Sequence, residues 1–439
     1  MLPLRGAASV LLNILLTGFT GFIGHALRQR LVGEGHRLRL AGRRRPVAMQ
    51  ASEDWLPFDM ARPEGSPSIL DGLQGIDVVV NTVGILRETR DLRFVALHVD
   101  GPRRLFEAAV EANVGRIVHL SALGADDAAQ TRYHRSKKAG DDGLLRLPIA
   151  SVVAQPSLVY GPGGASAQLF TQLAAAPVLM LPAGGHQRLQ PIHIDDLVQA
   201  LAALATQATP FTGRIALVGP EALALQDYLQ RLRTSLGLPR AWTIAVPAPL
   251  VRMAASIGDH IPSSPLDSET WQMLQRGNVA PAEATRTLLG REPRAVESFI
   301  APEDATAVRH AAQLGVFLPI LRLSVAIVWI VTGVLSFGVY PVAESYALLA
   351  QAGVPTALAP LFLYGAATLD MILGVLTLVL KRRTGLWLAQ IALIVGYTAI
   401  ISVRLPEYWL HPYGPVLKNL PMLAVLWLLY VVDRGDSRR

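Results

Sequence analysis

The hydrophobic and polar residues follow two different patterns along the chain, and the change between them divides the sequence. Between residues 11 and 302, short apolar runs alternate with stretches in which apolar residues recur at helical spacing. This alternation predicts a doubly wound α/β Rossmann fold, in which helices cover both faces of a parallel sheet. The predicted strands are residues 11–17, 37–40, 77–81, 116–121 and 150–155.

A second pattern begins after a linker that we predict at residues 303–315. Residues 316–432 contain long apolar segments at 323–340, 356–380, 384–403 and 419–432, and the only charge in the second segment is Asp370. A transmembrane helix needs about 20 apolar residues, and three such segments in succession argue against buried core helices. We expect the shorter fourth segment to begin near Gly414, with Lys418 reaching the membrane interface. The sequence therefore predicts an all-α bundle of four transmembrane helices.

Composition and charge support a membrane-bound part. Hydrophobic residues make up 51% of the 439 residues, and charged residues only 17%. The net charge is +7, and nine basic against five acidic residues lie from Val316 onward. This distribution favours an anionic membrane surface over nucleic acid as the reason for the positive charge. The chain has no cysteine, which excludes disulfides, thiolate nucleophiles and cysteine-based metal sites.

The basic residues also predict an orientation in the membrane. Lys381, Arg382 and Arg383 lie between the second and third apolar segments, and Arg434, Arg438 and Arg439 follow the fourth. The loop between the first and second segments has no basic residue. Because positive loops stay on the cytoplasmic side, we expect a multi-pass protein of the inner membrane whose N-terminal domain and termini face the cytoplasm.

A glycine-rich segment joins the first predicted strand to a helix with apolar residues at Ile23, Leu27 and Leu31. In this context the glycines are typical of a dinucleotide site, because they allow a tight turn, close approach of a pyrophosphate and close helix packing. The phosphates would meet the free N–H groups of the helix N-terminus. A plain strand–turn–helix corner is the alternative. The residues expected at the cofactor are Gly18, Thr20, Gly21, Phe22, Ile23 and Gly24.

The end of the second predicted strand bears on the form of the cofactor. NAD-binding proteins usually place a carboxylate about 20 residues after the glycines, to hold the ribose 2′-hydroxyl. Here the segment reads Ala41-Gly42-Arg43-Arg44-Arg45 and offers no carboxylate. Because an arginine fork suits a 2′-phosphate, we expect NADP(H) rather than NAD(H), bound by Arg43 and Arg44. Alternatively, these arginines bind anionic lipid headgroups.

Further motifs occur in a consistent order along residues 11–300. They are Phe58-Asp59-Met60, Asn81-Thr82-Val83-Gly84, Gln155-Pro156-Ser157-Leu158-Val159-Tyr160-Gly161-Pro162 and Gln190-Pro191-Ile192-His193-Ile194-Asp195-Asp196. With the glycine segment, they make this region similar to extended and atypical short-chain dehydrogenases/reductases. It most resembles atypical members related to the nucleotide-binding accessory subunit of respiratory complex I. The resemblance implies cofactor contacts at Asp59, Met60, Asn81, Thr82, Val83, Gly84 and Pro156, with Gln155 where arginine is usual.

Enzymes of this family use a Tyr-x-x-x-Lys pair and a hydroxyl residue, and here Tyr133 and Lys137 fit the spacing. An i, i+4 spacing places both side chains on one helix face. We expect the lysine to lower the pKa of the phenol and to hydrogen-bond the nicotinamide ribose, while Tyr133 exchanges a proton with a substrate oxygen. Ser121 is the candidate for orienting that oxygen. Chance occurrence of the pair remains the alternative, and His98 stands where an asparagine is frequent.

Residues 322–432 resemble DoxX-like membrane proteins, some relatives of which are linked to quinones. The resemblance lies in Arg322, Trp329 and Gly333, in Asp370 and Gly374, and in the proline-rich segment 412–421. Ionisable groups inside a bilayer are expensive and face the bundle interior, which makes Asp370 a functional candidate. We consider a proton relay beside a quinone, or a structural role with a hydrogen bond to Tyr397 or an ion pair with Arg322. Tyr364, Trp387 and Tyr408 are expected in interfacial belts.

Two functions compete at this point. The first is a membrane-anchored NAD(P)H-dependent oxidoreductase acting on a lipid-like or quinone-type substrate, because a soluble substrate gives no reason for the membrane tether. The second is a non-catalytic nucleotide-binding module that stabilises or senses within a membrane complex. Tyr133 and Lys137 favour the first function, whereas the departures at Ser121 and His98 favour the second. No spacing typical of a metal site was found, and the segment from His193 to Asp196 fits the family's loop better than a metal site.

Overall fold

The computed structural model describes residues 11–62, 69–208, 211–261 and 264–436. The chain divides into two compact units, Met1–Ala312 and Gln313–Arg439. The predicted cytoplasmic residues Arg438 and Arg439 lie outside the described residues.

Within the described part of the first unit, the main sheet has seven parallel strands in the order β11-β6-β5-β4-β1-β2-β3. The five predicted strands are confirmed as β1, β2, β4, β5 and β6, and β3 and β11 are added at the two edges. The strand bounds are Asn13–Thr17 (β1), Arg37–Gly42 (β2), Glu53–Pro57 (β3), Val78–Asn81 (β4), Arg116–Leu120 (β5), Ser151–Pro156 (β6) and Gly213–Leu217 (β11).

Helices cover both faces of this sheet, as the alternation along the sequence predicts. Alternate residues of β1 point to opposite faces, so that Ile14 and Leu16 pack in one apolar core and Leu15 in another. Because both faces are covered, the central strands are almost continuously apolar. The helices that flank the sheet are Phe22–Gly33 (α1), Ile69–Gly72 (α2), Gly101–Glu111 (α3, preceded by the π-helical turn Val95–Asp100), Arg132–Leu145 (α4) and Ile194–Thr206 (α6). Helix Ala165–Ala175 (α5) packs instead in a separate core that contains Tyr228.

Shorter elements form the rest of the first unit. In the described part of this unit, three two-stranded sheets join Val159–Tyr160 (β7) to Ile192–His193 (β10), Arg188–Leu189 (β9) to Leu223–Ala224 (β12), and Val178–Pro182 (β8) to Trp242–Val246 (β13). The accompanying helices are Leu225–Ser235 (α7), Ala248–Gly258 (α8), Ser268–Arg276 (α9) and Glu283–Leu289 (α10). β7 follows β6 directly along the chain.

The second unit is helical. Its elements are Ala305–Val334 (α11, which begins in the first unit), Val342–Gln351 (α12), Ala359–Val379 (α13), Thr384–Arg404 (α14) and Asn419–Asp436 (α15). Among the described residues, three helical segments are long and apolar enough to cross a membrane: Ala305–Val339, Thr356–Val379 and Thr384–Arg404. The fourth predicted span corresponds to α15, which carries Asp433 and Arg434 near its end.

Two details of this unit differ from expectation. Helix α11 begins at Ala305, so most of the segment expected as a linker is helical. Helix α15 begins at Asn419 rather than near Gly414, because Gly414 adopts a positive φ of 54° that an α-helix does not accommodate.

Small residues bring α11 and α13 close together. A Cβ atom at Gly333 would lie 2.8 Å from the Ala367 carbonyl oxygen, and one at Gly374 would lie 3.0 Å from that of Ala326. Such contacts require glycine and are typical of packing between membrane helices, where close backbone approach replaces the hydrophobic effect as the stabilising force.

Candidate functional site

The glycine segment forms a tight turn between β1 and α1. Gly18 adopts a φ of +76°, and a Cβ atom at Gly24 would lie 2.2 Å from the Gly18 carbonyl oxygen. Helix α1 begins at Phe22 with Gly21 as its N-cap residue. The first N–H groups of a helix have no intrahelical acceptor and carry partial positive charge. The turn therefore fits the pyrophosphate of a dinucleotide, as the sequence predicts.

The ends of β1 and β4 are tied together beside this turn. The buried Thr17 hydroxyl donates to Asn81 Oδ1 over 2.6 Å, and the same oxygen accepts the backbone N–H of Val83 at 3.1 Å. The Thr82 hydroxyl donates to the Thr17 carbonyl at 2.7 Å. The segment from Asn81 to Gly84 is thus held against the glycine turn, where the resemblance places cofactor contacts.

Tyr133 and Lys137 occupy one buried face of α4, at the predicted spacing. Lys137 Nζ donates to the carbonyl oxygens of Leu120 at 3.1 Å and Val83 at 3.3 Å. A Cβ atom at Gly84 would lie 2.8 Å from Lys137 Nζ, so glycine is needed for this approach. The structure therefore brings the Tyr-x-x-x-Lys pair to the segment expected beside the cofactor.

The expected effect of Lys137 on the phenol is wrong in this structure. Burial raises the pKa of Tyr133, and the nearby carboxylate of Asp141 raises it further. Burial lowers the pKa of Lys137 to about 8, against the opposing influence of Asp141. The ammonium is directed to backbone carbonyls rather than to the phenol, and desolvation dominates both groups.

Ser121 does not occupy the position expected of a substrate-orienting hydroxyl. Its Oγ donates to Asp141 Oδ2 over 2.7 Å inside the protein, because a fully buried carboxylate needs hydrogen-bond donors. Gln155 Nε2 donates to the same oxygen at 3.3 Å, and Arg214 Nε lies 3.8 Å away. We call Asp141, Ser121, Gln155, His119 and Arg214 the Asp141 cluster.

Asp141 is the residue that sequence reasoning missed. Burial raises its pKa to about 6, while the Ser121 hydrogen bond, Lys137 and Arg214 oppose that rise. His119 Nε2 lies 3.5 Å from Asp141 Oδ1, and its other ring nitrogen, Nδ1, is 3.1 Å from Asn81 Nδ2. The available signal was its position, one helical turn beyond Lys137 on the same face. Gln155, which stands where the family usually has arginine, donates a hydrogen bond to the Asp141 carboxylate.

His98 connects the cofactor-side loop to α4. Its Nε2 accepts the backbone N–H of Ile85 at 3.1 Å, and its Nδ1 lies 2.8 Å from Ser136 Oγ, which itself donates to the Tyr133 carbonyl. Burial lowers the pKa of His98 to about 3, with Lys137 as a second cause. The imidazole is therefore neutral and serves as a fixed link between the two parts of the site.

The remaining predicted cofactor residues surround the same edge of the sheet. Arg43 and Arg44 are exposed after β2, and Thr20 is exposed at the glycine turn. Asp59 Oδ1 accepts the backbone N–H of Ala61 at 3.0 Å. The other predicted residues are placed as follows: Met60 is buried after β3, Phe22 packs beside Gly161 and Gly164, Ile23 is partly buried, and Pro156 ends β6.

The segment from His193 to Asp196 is occupied by ion pairs. Asp196 pairs with Arg291 at 2.6 Å and accepts the backbone N–H of Arg294 at 2.6 Å, and Asp195 pairs with Arg294 at 2.7 Å. His193 caps α6 by accepting the Asp195 backbone N–H. These contacts fasten α6 to residues 291–294.

In the second unit, Arg322 pairs with Asp433, so the alternative that paired Arg322 with Asp370 is wrong. Asp433 also accepts from Trp387 Nε1 at 2.8 Å. Trp387 is completely buried rather than in an interfacial belt, because its N–H finds this acceptor inside the bundle. Asp370 is buried as predicted, and within the described residues its Oδ1 has no hydrogen-bond partner. Its functional role stays a prediction.

Comparison with known proteins finds a matching family model for each part. Residues 14–219 match the NAD dependent epimerase/dehydratase family, and residues 326–427 match the DoxX-like family. The ceramide reductase of Caulobacter vibrioides is 29% identical over 208 residues, which cover 46% of this chain and 63% of that protein. The 40 kDa subunit of NADH-ubiquinone oxidoreductase from Neurospora crassa is 23% identical over 217 residues, covering 46% and 55%. The chain thus spans less than two thirds of these curated relatives.

Solved structures show the same fold for the first unit. A nucleoside-diphosphate-sugar epimerase from Staphylococcus aureus has a TM-score of 0.54 at 17% identity, covering 65% of this chain and 99% of its own. MoeE5 in complex with UDP-glucose and NAD has a TM-score of 0.51 at 19% identity, covering 69% and 99%. The DoxX-like match and the three apolar helices indicate membrane association. The chain thus combines a region that matches the NAD dependent epimerase/dehydratase family with a C-terminal region that matches the DoxX-like family.

Proposed function

We propose that this protein is a membrane-anchored NAD(P)H-dependent reductase acting on the carbonyl group of a lipid-like or quinone-type substrate. The observation that supports turnover is the placement of Tyr133 and Lys137 on one buried face, beside the segment from Val83 to Gly84. The apolar helices of the second unit give a reason for a substrate that partitions into lipid. The similarity to a protein named ceramide reductase agrees with this substrate class.

The chain's own residues divide the work of the proposed reaction. The nicotinamide dinucleotide supplies a hydride when it is bound. The glycine turn from Gly18 to Gly24 would hold its phosphates, and Asn81 positions the loop beside it. Lys137 would hydrogen-bond the ribose with its ammonium group. The raised pKa of Tyr133 keeps the phenol protonated, which is the form needed to donate a proton to a carbonyl oxygen.

We propose NADP(H) as the preferred cofactor, bound through Arg43 and Arg44. Both side chains are exposed at the end of β2, next to the expected ribose position. Fluorescence titration of the purified protein should show tighter binding of NADPH than of NADH. Replacing both arginines with alanine should weaken NADPH binding by about 10–100-fold, because a hydrogen bond to a charged group contributes about 1.5–3 kcal/mol. NADH affinity should stay nearly constant, and equal affinities in the unmodified protein would contradict the proposal.

The pH dependence of turnover should report on Lys137. Because its pKa is lowered to about 8, the charged form needed for ribose binding is present below that pH and is lost as the pH rises through it. We therefore expect kcat/KM to fall above about pH 8. Asp141→Asn removes the negative charge that favours the ammonium, so its alkaline limb should move to lower pH.

Ser121→Ala is the control for this shift. It removes one hydrogen bond from Asp141 but leaves the carboxylate in place, so the alkaline limb should remain near that of the unmodified protein. If the pH profile of Asp141→Asn coincides with those of Ser121→Ala and the unmodified protein, the titration of Lys137 does not cause the loss of activity at alkaline pH.

A nucleotide-binding module without turnover is the second candidate. It is favoured by the engagement of Ser121 with Asp141, which leaves the expected substrate-orienting hydroxyl occupied. The similarity to subunits of NADH-ubiquinone oxidoreductase points the same way. The two candidates differ in what they require of Tyr133.

We also propose that the domain of residues 11–302 and both termini face the cytoplasm. The cluster Lys381, Arg382 and Arg383 follows α13 and is the strongest positive-inside signal. Reporter fusions after Lys381 and at the C-terminus should read cytoplasmic, and fusions near Pro355 or Pro412 should read as the opposite side. A cytoplasmic signal at Pro355 would show that the first helix does not cross the membrane.

A further inference from the structure

Helix α8 presents apolar side chains on both of its faces. Val251, Ala255 and Gly258 lie on the buried side, where Val251 and Ala255 pack with Trp271. On the opposite side Leu250, Met253 and Ile257 are 51%, 58% and 57% exposed. A surface helix of a soluble domain normally places polar residues there. Stability of the fold therefore does not explain why the outer side of α8 carries apolar residues.

A second exposed apolar strip lies on β13, which ends two residues before α8 begins. Trp242 is 84% exposed and Ile244 is 52% exposed, and their i, i+2 spacing places them on one side of the strand. Ile244 is paired in register with the exposed Met180 of β8. We refer to these exposed side chains together as the apolar face: Met180, Trp242, Ile244, Leu250, Met253 and Ile257.

Two exposed arginines lie along the segment that carries β13 and α8, and the exposed Asp259 follows the end of α8. Residues 240–258 contain Arg240 and Arg252 and no aspartate or glutamate, and both arginines are exposed. Exposed tryptophan and aliphatic residues next to arginine are typical of segments that lie in the interface of an anionic membrane. A bilayer is always close to this chain, because its DoxX-like domain carries apolar helices long enough to span one.

The segment that carries α8 is fastened to the candidate active site. Through α9, Glu269 Oε1 accepts the backbone N–H and the Nε–H of Arg132, both at 3.0 Å, and Arg132 directly precedes Tyr133. Arg276 Nη1 donates to the Gly124 carbonyl at 2.7 Å. The position of α8 is therefore linked to the N-terminal end of α4, where the proposed proton donor lies.

We propose that the apolar face is a membrane-contact surface, with its side chains inserted among the headgroups of an anionic bilayer. The opposite sign of Arg240 and Arg252 and of anionic lipid favours lipid over a protein partner. Membrane contact does not depend on turnover. If the proposed reductase function also holds, this contact keeps the substrate site at the membrane surface, where a lipid-like substrate resides.

The absence of cysteine allows a direct test in the full-length protein. Met253→Cys would carry an environment-sensitive fluorophore in vesicles that contain phosphatidylglycerol and nitroxide-labelled lipid. Glu283→Cys is the matched control, because its side chain is 83% exposed on α10 in the same unit. We expect nitroxide quenching at Met253 to exceed that at Glu283 by at least about twofold, with less quenching by aqueous iodide. Ile257→Cys gives a second probe on the same side of α8.

Two results would overturn the proposal. If iodide quenches the fluorophore equally at both positions and nitroxide-labelled lipid quenches it at neither, the apolar face is exposed to water rather than to lipid. Exclusion of iodide without nitroxide quenching would show that protein covers it, either a second copy or the chain's own membrane domain. Because the readout is fluorescence, a protein without turnover still gives an answer, and failure here is separate from failure of the reductase proposal.

Discussion

Replacing Tyr133 with phenylalanine is expected to lower turnover of a quinone or a lipid-like ketone by about 10²–10⁴-fold, the usual contribution of a positioned proton donor. Phenylalanine keeps the ring that packs near Phe94, His98 and His134 and removes only the hydroxyl. Cofactor affinity should therefore stay nearly unchanged. Steady-state kinetics in detergent, with nicotinamide fluorescence for binding, would separate the two effects.

Tyr228→Phe is the matched control for this substitution. Tyr228 is a buried tyrosine as well, but it lies in the core around α7, and its hydroxyl has no hydrogen-bond partner among the described residues. Its loss should leave turnover near that of the unmodified protein. Lys137→Ala should lower the rate and also weaken cofactor binding. Unchanged turnover in Tyr133→Phe would contradict the proposed mechanism, and an unchanged cellular phenotype would favour the nucleotide-binding module.

Local sequence patterns were sufficient to predict the backbone turn at which the cofactor is expected. Gly18 and Gly24 are required by a backbone angle and by a contact of the turn with itself, so their effect is readable over a few residues. The strand–turn–helix order supplied the context that makes the glycine motif specific. The same reasoning placed Tyr133 and Lys137 on one helix face, because side chains four residues apart on a helix are neighbours.

Long-range burial explains what the sequence did not reveal. Asp141 is enclosed by residues of β5, β6 and β11. No local sequence pattern indicates that this carboxylate on α4 accepts hydrogen bonds from Ser121 and Gln155. The same carboxylate counteracts the neutralising effect of burial on Lys137, so the pKa expectation for the pair also depended on distant residues. In sequence terms Ser121 was simply a hydroxyl at the end of a strand.

In the second unit, too, local features could be predicted from the sequence, whereas contacts between distant residues could not. Apolar length predicted the three long helices correctly, because the bilayer thickness sets a local requirement. The partner of Arg322 could not be inferred in this way, since Asp433 lies on α15 and meets Arg322 only in the folded bundle. Trp387 was expected at an interface because of its residue type, but its hydrogen bond to Asp433 places it inside.

Replacing Gly21 with valine is expected to weaken cofactor binding by at least about 10²-fold while the domain stays folded. Gly21 has ordinary extended backbone angles, and a Cβ atom there would meet only the Gly18 carbonyl oxygen, at 3.3 Å. The branched side chain would instead project at the N-terminus of α1, where the pyrophosphate must approach the free N–H groups. Gly24→Val is not a suitable test of the phosphate site, because its Cβ would lie 2.2 Å from the Gly18 carbonyl oxygen and would disturb the turn itself.

Gly33→Val on the same helix is the control, because a Cβ placed there meets no atom within 4 Å beyond its chain neighbours and the backbone of its own helix. Both variants should melt near the unmodified protein, and only Gly21→Val should lose NADPH fluorescence. Retained binding in a folded Gly21→Val protein would contradict the assignment of the phosphate site. Together with Tyr133→Phe, this variant distinguishes the two functions, because an enzyme loses its cellular role with either substitution. A binding module loses it only with Gly21→Val, since it needs the nucleotide but not the proton donor.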